Sequence, residues 1–135
     1  MTQQSTQGIN RQGLDQNFEA EEARKSNLIL TAQLMRAQQK QDEAATSFAE
    51  AARIEERLSE DCESKGLLEK SFIHRFSAAS CWAQAGDFYH AIALCDDLLA
   101  RADLPERLRH RVREYAHTIR VRREQWYEEL ISEAA

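Results

Sequence analysis

Glycine and proline are scarce in this chain, which has four glycines and one proline among 135 residues. Both residue types are common in turns, so this sequence has too few turn-forming residues for the many chain reversals of a β-sandwich or barrel. Two of the glycines, Gly8 and Gly13, fall in a Gln-rich N-terminal stretch. The chain is therefore predicted to be all-α, and its length suits one domain.

Apolar residues recur at three-and-four spacing in five segments, which predicts five helices. We expect them at about residues 18–38, 42–63, 67–85, 88–101 and 106–131. Gly66 and Gly86 mark helix ends, and Pro105 marks a helix start. Residues 1–15 lack apolar periodicity and are predicted to be a disordered polar tail, which leaves 16–135 as the single helical domain.

The same spacing predicts which side chains face inward. The fifth helix has an apolar line that is interrupted near Arg122 and Arg123. The inward positions predicted on the first, third and fifth helices are Leu28, Thr31, Ala32 and Met35; Leu68, Phe72, Phe76, Ala79 and Trp82 or Ala83; and Leu108, Val112, Tyr115 or Ala116, Ile119, Trp126 and Leu130.

An internal repeat relates the first two pairs of helices. Five positions recur 47 residues later: Ala32, Met35, Ala44, Phe48 and Ala51 correspond to Ala79, Trp82, Ala91, Cys95 and Leu98. In each pair, an alanine on the first helix lies 12 residues before an alanine on the second. Facing small residues allow two helices to approach closely. The sequence thus predicts two similar antiparallel hairpins followed by one more helix.

The second hairpin resembles a tetratricopeptide (TPR) repeat. The residues that carry this resemblance are Ala78, Ala79, Trp82, Gly86, Asp87, Phe88, Ala91 and the later Pro105. Cys95 and Leu98 depart from the family pattern, as do Gln39 and Gln41 in the first hairpin. The repeat interval of 47 residues also exceeds the family's usual length of about 34. The resemblance implies a short α-solenoid of stacked hairpins.

In TPR-like folds, the first helix of each pair lines a concave groove that holds a peptide or a partner's helix. Transferred to this chain, the resemblance implies nine partner-binding residues. They are Gln33, Arg36, Phe76, Ser80, Gln84, His110, Arg113, His117 and Arg120.

Positive charge is concentrated in one segment of an acidic chain, whose net charge is −5. Residues 101–123 carry eight arginines against three acids, whereas residues 124–135 carry four glutamates and no base. Arginine favours planar, bidentate recognition of carboxylate or phosphate. His110, Arg113, His117 and Arg120 also share one stripe of a helix by their spacing. The alternative interpretation is an ordinary solvated helix face.

No catalytic or metal-binding motif is recognisable, so we expect a protein that is not an enzyme and needs no cofactor or metal. Cys62, Cys81 and Cys95 are expected to be core thiols rather than redox partners. Glu55 and Glu56 should point to different helix faces. With no secretory signal and no apolar run of about 20 residues, a cytoplasmic location is expected.

Three functional hypotheses follow. The leading one is a protein-protein interaction module, or adaptor, that binds an acidic or helical segment of a partner, within a larger complex. The second is RNA binding by an accessory subunit through the Arg-rich helix at 106–123. The third is a homodimer through the C-terminal helix, where Trp126, Tyr127, Leu130 and Ile131 are expected to be exposed.

Overall fold

The computed structural model describes residues 16–134, which form five α-helices and no strand. In chain order they are α1 (Gln16–Ala37), α2 (Gln41–Ser64), α3 (Leu68–Gln84), α4 (Phe88–Leu99) and α5 (Glu106–Ala134). The all-α prediction is confirmed, and α5 continues without a break through Arg122 and Arg123. The predicted tail at 1–15 lies outside the described residues. Within 16–134, no helix has the length and apolarity needed to cross a bilayer.

The first three turns share one conformation. Gln39, Gly66 and Gly86 have φ values of 67°, 75° and 90°. In each turn, the next residue donates its N–H to a carbonyl five positions back, which is the hydrogen bond of a Schellman motif. These bonds join Lys40 to Met35 (2.8 Å), Leu67 to Cys62 (2.9 Å) and Asp87 to Trp82 (2.9 Å). Consecutive helices are thus reversed by the same geometry three times.

The fourth connection is longer and is closed by side chains. Leu104 is buried in the core, and the carbonyl of Pro105 accepts the N–H of Arg109 at 2.8 Å at the start of α5. The Arg109 guanidinium reaches back to donate to the carbonyls of Leu99 (2.8 Å) and Arg101. Because the last carbonyls of a helix have no intrahelical partner, Arg109 caps the C-terminal end of α4.

Small residues meet in the core as the repeat predicts. Ala79 and Ala91 belong to one cluster of buried residues that extends from α2 to α5. Ala32 and Ala44 lie together with Phe48 in a second cluster between α1 and α2. All five side chains are 2% exposed or less. In each predicted hairpin, the paired alanines are therefore buried in the same cluster.

Four of the predicted inward positions are exposed instead. Thr31 lies at the edge of the buried face of α1, about 100° around the helix from Ala32. Leu68 is the first residue of α3 and precedes the region that packs. Trp126 and Leu130 are 50% and 44% exposed, because burial along α5 ends at Ile119.

Side chains also connect helices that are not consecutive. Hydrogen bonds link α1 to α3, from Arg36 to Gln84. A polar contact links α2 to α4, with 3.1 Å between His90 Nε2 and a carboxylate oxygen of Glu56. A ring contact links α3 to α5 between Phe76 and Tyr115. Alternate helices therefore touch through side chains, whereas the extensive backbone-to-backbone packing is between consecutive helices.

Candidate partner-binding surface

Phe76, Ser80 and Gln84 follow one another along one side of α3 at four-residue spacing and are partly buried. The Phe76 ring meets the Tyr115 ring edge-on, with 5.5 Å between centroids. Burial raises the pKa of the Tyr115 phenol, against the lowering effect of its hydrogen bond with Ser80. Arg36 donates to the Gln84 backbone oxygen at 3.1 Å. This predicted row therefore joins α3 to both α1 and α5.

The two predicted residues of α1 differ in their contacts. The Arg36 guanidinium lies over the Phe48 ring, 4.5 Å from its centroid, in addition to its bonds to Gln84. Gln33 is exposed. The first helix thus offers Gln33 to a ligand, whereas Arg36 is already partly engaged by its neighbours.

His110, Arg113 and His117 are exposed on α5 and line a shallow depression with Glu114 and Thr118. His110 Nε2 lies 3.3 Å from a carboxylate oxygen of Glu114. Arg113 and His117 form no hydrogen bond or ion pair with any residue from 16 to 134. The structure thus brings together three of the four stripe residues and leaves two of them available.

Arg120, the fourth stripe residue, points toward α4. Its guanidinium pairs with the Asp96 carboxylate at 2.8 Å. Tyr115, which faces α3, lies about 140–160° around α5 from each of the four stripe residues at 100° per residue. The nine predicted residues therefore do not form one groove, since the stripe lies on the opposite side of α5 from the α3 row.

A different arginine adjoins the α3 row. The Arg111 guanidinium lies over the Phe76 ring at 5.9 Å from its centroid. Seen along the axis of α5, Arg107 lies about 40° and Arg122 about 20° from Arg111, so both are on the same side of the helix. Sequence reasoning missed these positions because both sides of the buried line carry arginines, and spacing alone does not show which side meets α3.

The eight arginines of residues 101–123 divide into two equal groups. Four are engaged by carboxylates or backbone carbonyls: Arg101, Arg109, Arg120 and Arg123. The other four have no carboxylate or carbonyl partner among residues 16–134: Arg107, Arg111, Arg113 and Arg122. Half of the basic segment thus has its hydrogen-bonding capacity available for a ligand.

A buried ionic cluster joins α1, α2 and α3. Glu55 is 1% exposed, and its carboxylate lies 2.7 Å from His74 Nδ1 and 3.7 Å from Lys25 Nζ. His74 Nε2 in turn lies 3.7 Å from a Glu22 carboxylate oxygen. In the sequence, the sign of this cluster was Glu55, a charged residue on the apolar face of α2, three positions before Leu58.

The adjacent Glu56 serves a separate contact between α2, α3 and α4. Its carboxylate accepts a hydrogen bond from Trp82 Nε1 at 2.7 Å and lies 3.1 Å from His90 Nε2. The Trp82 and His90 rings stack at 4.1 Å between centroids. The prediction that Glu55 and Glu56 point to different faces is confirmed, and Trp82 is a core residue, 6% exposed.

The cysteines offer no reactive site. Cys62, Cys81 and Cys95 are buried free thiols. Burial raises the pKa of Cys81 to about 12 and that of Cys95 to about 11, so both are protonated at neutral pH and poorly nucleophilic. Residues 16–134 hold no group of three or more side chains placed to bind a metal ion.

No family model, no curated protein and no solved structure matches this chain.

Proposed function

We propose that this protein is a non-enzymatic interaction module that binds an acidic segment of a partner protein along α5. The observation that carries the proposal is that Arg107, Arg111 and Arg122, on the side of α5 next to α3, have no carboxylate or carbonyl partner among the described residues. Most other arginines of these residues are paired with carboxylates of the same chain. An external carboxylate-rich ligand would supply the missing partners.

A short TPR-like stack of hairpins is the architecture that we propose for this module. Contacts between alternate helices support it, since α1 touches α3, α3 touches α5 and α2 touches α4. The three identical turns support it as well, because a repeated turn gives repeated helix packing. In such a stack α1, α3 and α5 form one layer and α2 and α4 the other.

The side of α5 next to α3 is the better docking surface. Arg107, Arg111 and Arg122 lie there, and Phe76 and Tyr115 of the same region add aromatic surface. Arginine and aromatic residues are enriched in protein-protein interfaces. Each exposed ion pair contributes only about 0.2–1 kcal/mol, so the proposed affinity depends on several arginines acting together.

The test compares the two sides of α5. A Glu/Asp-rich peptide is titrated against the wild type and against the Arg107→Ala/Arg111→Ala/Arg122→Ala variant by fluorescence anisotropy. We expect affinity to fall about tenfold, since three exposed pairs together contribute about 1.4 kcal/mol. The matched control, Arg113→Ala/His117→Ala, removes charge from the opposite side and should change affinity less than twofold.

The control distinguishes the two surfaces. A larger loss of affinity in the Arg113→Ala/His117→Ala variant would mean that the peptide binds to the predicted stripe instead, where His110 and Arg120 also lie. Equal affinity for all three proteins would contradict binding through α5.

RNA binding remains the alternative, because the same arginines suit phosphates. It predicts that affinity for a mixed-sequence oligonucleotide falls steeply with salt, with a slope set by the number of phosphates contacted. The net charge of −5 opposes broad contact with a nucleic-acid backbone, whereas a short acidic peptide needs only the local arginines of α5. The acidic peptide is therefore the favoured ligand.

A further inference from the structure

The end of α5 projects beyond the helical core. We call residues 121–134 the α5 extension; it is about 21 Å long, and none of its residues is buried. It nevertheless carries five large apolar residues that are 44–60% exposed: Val121, Trp126, Tyr127, Leu130 and Ile131. A concentration of exposed apolar surface on one helix is typical of an association site.

The apolar side of the α5 extension continues the buried line of α5. Val112, Ala116 and Ile119 are buried in the core, at intervals of four and three residues. The same alternation leads on to Arg123, Trp126, Leu130 and Glu133, which we call the seam. An alternating four-and-three spacing is that of a coiled-coil contact line. The surface that packs against the core in the first half of α5 is thus open in the second half.

Two charged residues within the seam restrict its partner. Arg123 and Glu133 lie at opposite ends, five positions on either side of residue 128. In a parallel pair of identical helices, Arg123 would face Arg123 and Glu133 would face Glu133, and both contacts would be repulsive. In an antiparallel pair centred on residue 128, each arginine faces a glutamate. Trp126 then faces Leu130 in the same register.

We propose that the α5 extensions of two copies of this chain pair antiparallel about a two-fold axis at residue 128. Trp126 packs on Leu130 of the partner subunit, and Arg123 pairs with Glu133 of the partner subunit. Within one chain Arg123 lies 3.8 Å from Glu124, and its guanidinium has further N–H donors for the second carboxylate. Each copy supplies the same surface, as a closed two-fold dimer requires.

The test measures molar mass by sedimentation equilibrium over a range of protein concentrations. The apparent molar mass of the wild type should rise with protein concentration toward twice the mass of the chain. Arg123→Glu and Glu133→Arg should each weaken dimerisation at least tenfold, because each places like charges opposite one another. The Arg123→Glu/Glu133→Arg variant restores opposite charges in the antiparallel register and should dimerise within threefold of the wild type.

Mixing the two single variants provides a further expected result, since a heterodimer of them regains both opposite-charge pairs. The seam residues of the extension are not buried, so circular dichroism of every variant should match the wild type. A wild type that stays monomeric up to millimolar concentration would overturn the proposal. So would a double variant that is as weak as the single variants.

Discussion

At the scale of single residues, Gln39 adopts a backbone conformation that favours glycine. Its φ of 67° matches those of Gly66 and Gly86 at the equivalent positions. A side chain in this left-handed region costs about 1–2 kcal/mol relative to glycine. We expect Gln39→Gly to raise the free energy of unfolding by about 1 kcal/mol, measured by urea denaturation.

The matched control is Gly86→Ala, which introduces the same strain at a turn of the same geometry. Nothing lies within 4 Å of a Cβ atom at Gly86, so the backbone is the only source of the effect. It should lower the free energy of unfolding by about 1 kcal/mol. If Gln39→Gly and the wild type were equally stable, interactions of the glutamine side chain would have to offset the cost of the left-handed backbone at residue 39.

At the scale of helices, Arg109 fastens the end of α4 to the start of α5. It donates to two backbone carbonyls across the longest connection of the described chain. Hydrogen bonds from charged groups contribute about 1.5–3 kcal/mol. We expect Arg109→Ala to lower the free energy of unfolding by about 2 kcal/mol in urea. Arg113→Ala removes the same charge from the same helix without removing a hydrogen bond or ion pair, and it should change stability by less than 0.5 kcal/mol.

The helices were predictable from sequence because their signals are local. Gly66, Gly86 and Pro105 fixed three boundaries, and periodicity supplied the rest to within about three residues. The turn at Gln39 adopts its conformation without the residue that signals it. The side of α5 that meets α3 was not predictable either, since arginines flank its buried line on both sides. Only the contact of Phe76 with Arg111 and Tyr115 decides that orientation.

At the scale of the whole molecule, stability is unevenly distributed. The largest buried cluster extends from α2 to α5, whereas only Phe18 and Ala32 are buried in α1. The ionic cluster around Glu55 adds a second attachment, through Lys25 of α1 and through His74, whose ring meets Phe18 edge-on at 5.6 Å. We infer that α1 opens before α2, α3 and α4, with the Glu55 carboxylate as a main restraint.

Glu55→Gln tests this inference, because the amide keeps the shape of the side chain and removes the charge that faces Lys25 and His74. We expect native-state hydrogen exchange in α1 to quicken about tenfold, equivalent to a loss of about 1.4 kcal/mol, with little change in α4. The matched control is Glu56→Gln, the next residue, whose contacts are Trp82 and His90. It should quicken exchange near the start of α4 and leave α1 unchanged. Equal acceleration of all helices by Glu55→Gln would mean instead that α1 opens only when the whole molecule unfolds.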